Sequence, residues 1–222
     1  MIKNASRGLA ALCLSLAPLL TPAAAPAQAA DVTTLADALH RLPVADEERD
    51  NHTRGSFPHW NAGLDKRDGC DTRAEVLIAE AEEAPKVGKK CGLSDGEWVS
   101  FHDGQEVSDP RKLHVTHAVP LGEAWSSGAS AWSAERREAY ANDQGAPGSL
   151  TAVTSRVARS RGAQDPGQWM PPLAAAHCRY LSDWVATKLR WDLAADPAEL
   201  DAIAVFATGA CRQTPVIYTA VP

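Results

Sequence analysis

Apolar positions recur with two different periods along this chain, and the boundaries between them divide it into elements. In 33-TTLADALHRLPV-44, Leu35, Leu39 and Leu42 fall at helical spacing and Thr34 with Asp37 approximates a capping box, so a short amphipathic helix is predicted, ended by Pro43. The following stretch, residues 46–73, is polar and irregular and reads as a long loop stapled at Cys70, with Phe57 and Trp60 turned into the core. In 74-AEVLIAEA-81 the run Val76, Leu77, Ile78 fits either a short helix or a strand. Residues 97–109 alternate on both sides of Asp103-Gly104, a hairpin turn pair, and Leu113 to Val119 forms a third extended piece that Pro120 ends.

Helical signals dominate from there on. Residues 122–132 begin helical and turn loop-like, and Ser133 is placed to cap a helix over 134–143 with Glu135 in its first turn. Gly145, Pro147 and Gly148 break the chain before 150-LTAVTSRVARSRG-162, and a Pro-rich segment covers 165–172. Cys178, Leu181, Trp184/Val185 and Lys188/Leu189 mark a long helix, and Pro197 opens another at a first-turn position. The chain carries no internal repeat. These elements predict a mixed α+β domain with helices flanking a small hairpin region.

Composition changes the picture at the N-terminus. Lys3 and Arg7, the apolar run Gly8 to Leu20 and an Ala-x-Ala site at Ala27-Gln28-Ala29 predict a signal peptide over 1–30 and an exported mature chain. The apolar run falls short of the roughly 20 residues a bilayer demands, and no later segment is long and apolar enough to span one. Cys13 lies in the leader, which leaves Cys70, Cys91, Cys178 and Cys211, an even number in an oxidising compartment. Of their three possible pairings, Cys70 with Cys91 and Cys178 with Cys211 close the shorter loops and are favoured; a zinc site is the competitor, although no Cys-x-x-Cys occurs. Losing Lys3 and Arg7 from 22 basic residues leaves 20 against 28 acidic ones. That balance disfavours broad adhesion to nucleic acid while leaving room for a local basic site.

Four segments carry a resemblance: 69-GCDTRAEVL-77, 115-VTHAVPLGEAWSSGASAWSAERREAYANDQ-144, 151-TAVTSRVARSRGAQDPGQWMPP-172 and 178-CRYLSDWVATKLRW-191. In this order they resemble the secreted HNH endonuclease family related to the C-terminal domain of GmrSD-type restriction endonucleases, over roughly residues 55 to 212. The resemblance implies a ββα-metal core, disulfide-stapled and flanked by helices. It divides the chain into a leader (1–30), an N-terminal helix and loop (31–54), an HNH-like domain (55–212) and a C-terminal tail (213–222).

The implied chemistry is hydrolysis of a nucleic-acid phosphodiester, with DNA ahead of RNA as the partner. Such hydrolysis requires a base for water and a cation, Mg²⁺, Mn²⁺ or Zn²⁺, against the developing charge. His117 matches the family's general base. Thr116 stands where the pattern has a metal-binding aspartate, Ala158 where it has an asparagine, and Ala163 where it has a further aspartate. Neither a hydroxyl dipole nor a methyl replaces an anionic ligand. His114 shares the strand face of Thr116 and is the remaining metal-ligand candidate, one that shifts preference toward transition metals. Asn142 and Asp143 either approach the site or end their helix.

Arg156, Arg159 and Arg161 are candidate phosphate contacts, with Arg136 and Arg137 on the preceding helix; a solvated surface run is the alternative. Trp125, Trp132, Trp169, Trp184 and Trp191 read as core. Gly-x-Ser-x-Gly, phosphate-loop, dinucleotide and His-Glu-x-x-His motifs are absent. Two functions remain open on this sequence: a nuclease-like enzyme with an impaired metal site, or a noncatalytic protein gripping nucleic acid, cell wall or a protein partner with no cofactor at all.

Overall fold

The computed structural model describes residues 29–221, so the predicted leader and Cys13 lie outside the described residues save for the last two leader positions. In chain order the elements are β1 (Asp31–Thr34), α1 (Leu35–Leu39), α2 (Thr72–Ala79), β2 (Lys86–Val87), β3 (Leu93–Ser94), β4 (Trp98–Val99), β5 (Glu106–Val107), β6 (Leu113–His117), α3 (Leu121–Ser126), α4 (Ala134–Ala141), β7 (Leu150–Thr154), α5 (Ser155–Arg161), α6 (His177–Trp191), α7 (Pro197–Ala207) and β8 (Pro215–Tyr218). The strands pair antiparallel as β1–β8, β2–β3, β4–β5 and β6–β7. The fold is therefore mixed α and β, with small sheets. Among the described residues no helix is long and apolar enough to cross a membrane.

Most elements start where their capping chemistry dictates. The Thr34 side chain accepts from the Asp37 amide, Ser133 from Arg136, and Asp196 from Ala198 and Glu199 ahead of the proline-initiated α7. The ambiguous 74–81 run is helical because Asp71 caps it, accepting from the Ala74 amide at 2.7 Å, while Val76 and Leu77 bury one face. Gly104, at φ +65°, closes the predicted 97–109 hairpin, where Trp98 pairs with Val107 and Val99 with Glu106.

Two local expectations need correcting. The first helix starts at Leu35 behind its Thr34 cap, as predicted, but ends at Leu39 rather than at Pro43, and the residues before it, Asp31 to Thr34, form a strand against β8. That partner strand belongs to the segment read as a C-terminal tail, where Val216 is fully buried. Residues 150–162, for which the sequence predicts no element, are a strand followed without a loop by a helix, and the Thr154 side chain caps the junction by accepting from the Val157 amide.

Two apolar clusters hold most of these pieces, and a small third one forms around Cys70, Ala74 and Cys91. The larger surrounds α6, whose Tyr180, Leu181, Trp184, Val185 and Trp191 pack with Leu35 and Ala38 of α1, Ile203 of α7 and Val216 of β8. The smaller lies under the β6–β7 pair and joins Leu113, Val115, Leu150 and Ala152 to Val76, Leu77 and Trp98. Among the tryptophans read as core, Trp125, Trp184 and Trp191 are buried, and Trp132 and Trp169 pack against the larger cluster half-buried. Both favoured disulfides are present, Cys70–Cys91 and Cys178–Cys211, with Cα atoms 4.9 and 5.1 Å apart. All four cysteines are thereby committed, and the zinc alternative falls.

A cation sits inside the larger cluster. Lys188, fully buried, donates to Ser127 Oγ at 2.9 Å and the Ala194 carbonyl at 2.7 Å, and pairs with Glu123 and Glu199. Burial pushes the Glu199 carboxyl up to about 7, opposed by the lysine beside it. Paired and hydrogen-bonded, such a charge is tolerated; removing one partner strands the others.

Candidate functional site

β6 and β7 run in register from Leu113↔Thr154 to His117↔Leu150, and α5 leaves directly from the end of β7. Alternation along β6 sends Leu113 and Val115 into the smaller cluster, while His114 stays exposed and Thr116 half-buried on the other face. The end of β6 is clamped by Arg161, the last residue of α5. Its guanidinium donates to the carbonyls of His117, at 3.0 Å, and Ala118, and lies over the rings of Trp169, Tyr180 and Trp184 at 5.3 to 5.8 Å.

His117 is held on every side. Its ring stacks between Trp60, 5.6 Å away at 12°, and Tyr140, 6.0 Å away at 18°, with His59 edge-on at 6.3 Å. Its Nε2 lies 2.9 Å from the Ala141 carbonyl. A carbonyl can only accept, so Nε2 carries the proton and Nδ1 carries the lone pair. Burial pushes the ring down to about 4, and the hydrogen bond to Ala141 only partly offsets that, so the imidazole is neutral at neutral pH. His114 is lowered too, first by burial and then by Arg73, His59 and Arg159.

The loop supplying His59 and Trp60 is tied to the end of α4. Asn142 accepts from the Asn61 amide at 3.0 Å and donates to the Pro58 carbonyl at 3.0 Å and the Glu138 carbonyl at 2.8 Å. Arg137 adds a bond to the Ser56 carbonyl at 2.9 Å. Trp60 itself sits at φ +59°, a left-handed conformation rare for a bulky residue and held here by these ties. His59 Nδ1 lies 2.7 Å from the Phe57 carbonyl, which leaves its Nε2 lone pair open.

A cavity of about 660 Å³ opens beside this arrangement, lined among others by His59, Trp60, His114, Thr116, His117, Ala158 and Arg159. It brings together most of the residues singled out from sequence: His117, His114, Thr116, Ala158 and Arg159. Two arginine assignments need correcting. Arg161 reaches the cavity wall only as a buried clamp, 2% exposed, with its donors on backbone carbonyls rather than on a ligand. Arg156 points elsewhere and pairs with Asp103 at 3.0 Å, lining a different cleft.

Asp143 is no pocket residue either. It is buried, accepting from Arg190, Trp191, Ser149 and Gly145, and these contacts hold its carboxyl below its usual range despite burial. Asn142 ends its helix and ties the 58–61 loop. His59 and Trp60 are the pocket residues that sequence reasoning missed. From sequence Trp60 reads as core filling, and His59 beside it carries no local signal that points to the pocket. Trp60 does pack against the smaller cluster, yet its ring face covers His117.

Among the described residues, no carboxylate lines this cavity. The Thr116 hydroxyl donates to the Thr151 carbonyl at 3.3 Å and the Ser155 hydroxyl to the Lys112 carbonyl at 2.9 Å. A hard cation such as Mg²⁺ wants anionic oxygen, so the residues present do not fit it. Elsewhere, oxygens of Glu47, Asp165 and Asp196 lie within 4.8 Å of one another at a separate cleft, with Arg49 paired to Glu47.

No family model matches the chain, and no solved structure matches it. Over 155 residues, 70% of this chain and 74% of the relative, the sequence is 35% identical to an "Uncharacterized secreted protein" of Arthroderma benhamiae. With that identity over that span, and with two disulfides that fit an extracellular location, the chain belongs to the family of this secreted protein.

Proposed function

We propose that this secreted protein is nuclease-like, an HNH-type scaffold whose ββα core is β6, β7 and α5 and whose substrate is a nucleic-acid phosphodiester, DNA ahead of RNA. One observation carries the reading: His117 at the end of β6 is neutral, held in the Nε2–H tautomer by Ala141, so that Nδ1 is the lone-pair nitrogen of a ring that lines a cavity together with Arg159. In that tautomer Nδ1 takes a proton from an attacking water, and the guanidinium answers the charge on the phosphate. The resemblance in four ordered segments supports the same assignment.

The reaction runs weakly on this reading. Losing one charge stabiliser of a transition state costs on the order of 10²–10³ in rate, and here Thr116 and Ala158 both lack the oxygen the family pattern supplies. The same two positions favour a second reading, a scaffold that grips nucleic acid without cutting it. Supercoiled plasmid incubated with the mature protein and Mg²⁺, Mn²⁺ or Zn²⁺ decides between them. Slow nicking that disappears in His117→Ala is the expected result. Absence of nicking with every metal, alongside retained DNA binding, replaces the first reading with the second.

A further inference from the structure

The cavity lining is cationic and aromatic where a metal-dependent site would be anionic, and this mismatch has a chemical consequence. We propose that the pocket binds a phosphate group directly, through Arg159 and His114, with no divalent cation between them. The proposal rests on the phosphodiester reading above and names how its charge is met.

The three arginines of α5 are distributed unequally. Arg156 is neutralised by Asp103, and Arg161 spends its donors on the carbonyls of residues 117 and 118. Arg159, two residues before Arg161, is exposed on the cavity rim and has no hydrogen-bond or ion-pair partner among the described residues. A guanidinium presents a planar fork of donors that matches two oxygens of one phosphate, so an open one on a cavity is a ready anion contact.

The surroundings deepen that bias. Arg73 approaches from behind β6, donating to the carbonyls of Pro110 and Leu113 at 3.3 and 3.2 Å, and adds positive charge beside His114. Among the described residues nothing acidic lines the cavity to offset these groups, although the whole chain carries a net charge of −6. A dication entering here meets like charge and no carboxylate. A phosphate meets the opposite, with Trp60 lining the same cavity beside it.

The test uses the mature chain in EDTA, titrated calorimetrically with inorganic phosphate and with a dinucleoside monophosphate. Saturable binding of both is expected. It should weaken about tenfold or more in Arg159→Ala, as loss of a charge-assisted bidentate contact implies, and remain in Arg111→Ala, which removes an exposed arginine paired with Asp109. Added Mg²⁺ should not tighten it. Thr116→Asp should weaken binding in EDTA and make it Mg²⁺-responsive, a gain that a misfolded variant would not show. Binding only in the presence of Mg²⁺ or Zn²⁺ overturns the proposal, as does equal affinity in Arg159→Ala or no binding at all by the wild type. The two readings fail separately: metal-free phosphate binding without plasmid nicking leaves this inference standing and removes catalysis. Metal-dependent nicking without metal-free binding does the reverse.

Discussion

A histidine's place in this protein depends on what its two nitrogens touch, and His117 and His102 differ there. His117 has one nitrogen committed to a carbonyl and carries its lone pair on the other. His102 is 3% exposed beside Phe101, Trp169 and Tyr180, its Nδ1 lacks a partner, and burial pushes its pKa down to about 3. Below a pH of about 6.5 the unfolded chain protonates this ring while the folded chain does not, so His102 erodes stability as pH falls from 6.5 toward 3. Between pH 7 and 5 the contribution is about 2 kcal/mol, from roughly 1.5 pH units at 1.4 kcal/mol each. His102→Phe should flatten the wild-type slope by about that amount in urea unfolding at the two pH values. An unchanged slope would place the acid sensitivity elsewhere, His117 first.

At the scale of elements, the pocket is assembled from a strand end, a helix and a loop, and Asn142, together with Arg137 and the Asn61–Glu138 bond, ties loop to helix. Asn142→Ala removes three hydrogen bonds to that loop and helix end, at about 1 kcal/mol each net. It should leave the global fold intact while loosening the 58–61 loop. Faster amide exchange confined to residues 57–62 is the measurement; exchange spread across α6 would show that Asn142 supports the core instead. These ties also explain what sequence could and could not tell. Leucine spacing, the Asp103-Gly104 turn, Pro197 and the α6 periodicity are local signals, and each marked its element. So did the placement of Thr116 and Ala158 on one pocket, through ordered motifs. His59 and Trp60 were illegible because their position is set by partners some 80 residues away, Asn142 and Arg137, and a polar loop carries no period that points across such a gap. Arg161 misled for the opposite reason: arginine is usually exposed, and only a ring cage from Trp169, Tyr180 and Trp184 makes its burial intelligible.

Across the whole molecule, the long helix α6 organises the larger core and the termini close upon it. Reading residues 31–54 and 213–222 as appendages overlooked that β1 and β8 are each two-sided bargains, too short alone and complete only as a pair. Asp31 is the register partner of Tyr218, and Thr34 of Pro215. Residues 31 and 218 thus lie side by side in one antiparallel ribbon. Joining residue 218 to residue 31 through a short glycine-serine linker, and reopening the chain between Lys66 and Arg67 in the exposed turn there, should give a circular permutant that melts cooperatively within a few degrees of the parent. Loss of a cooperative transition would mean that the original ends, rather than their pairing, carry structural information. If the permutant folds, the order in which this protein's pieces leave the ribosome is a historical accident, and its architecture is indifferent to where the thread begins.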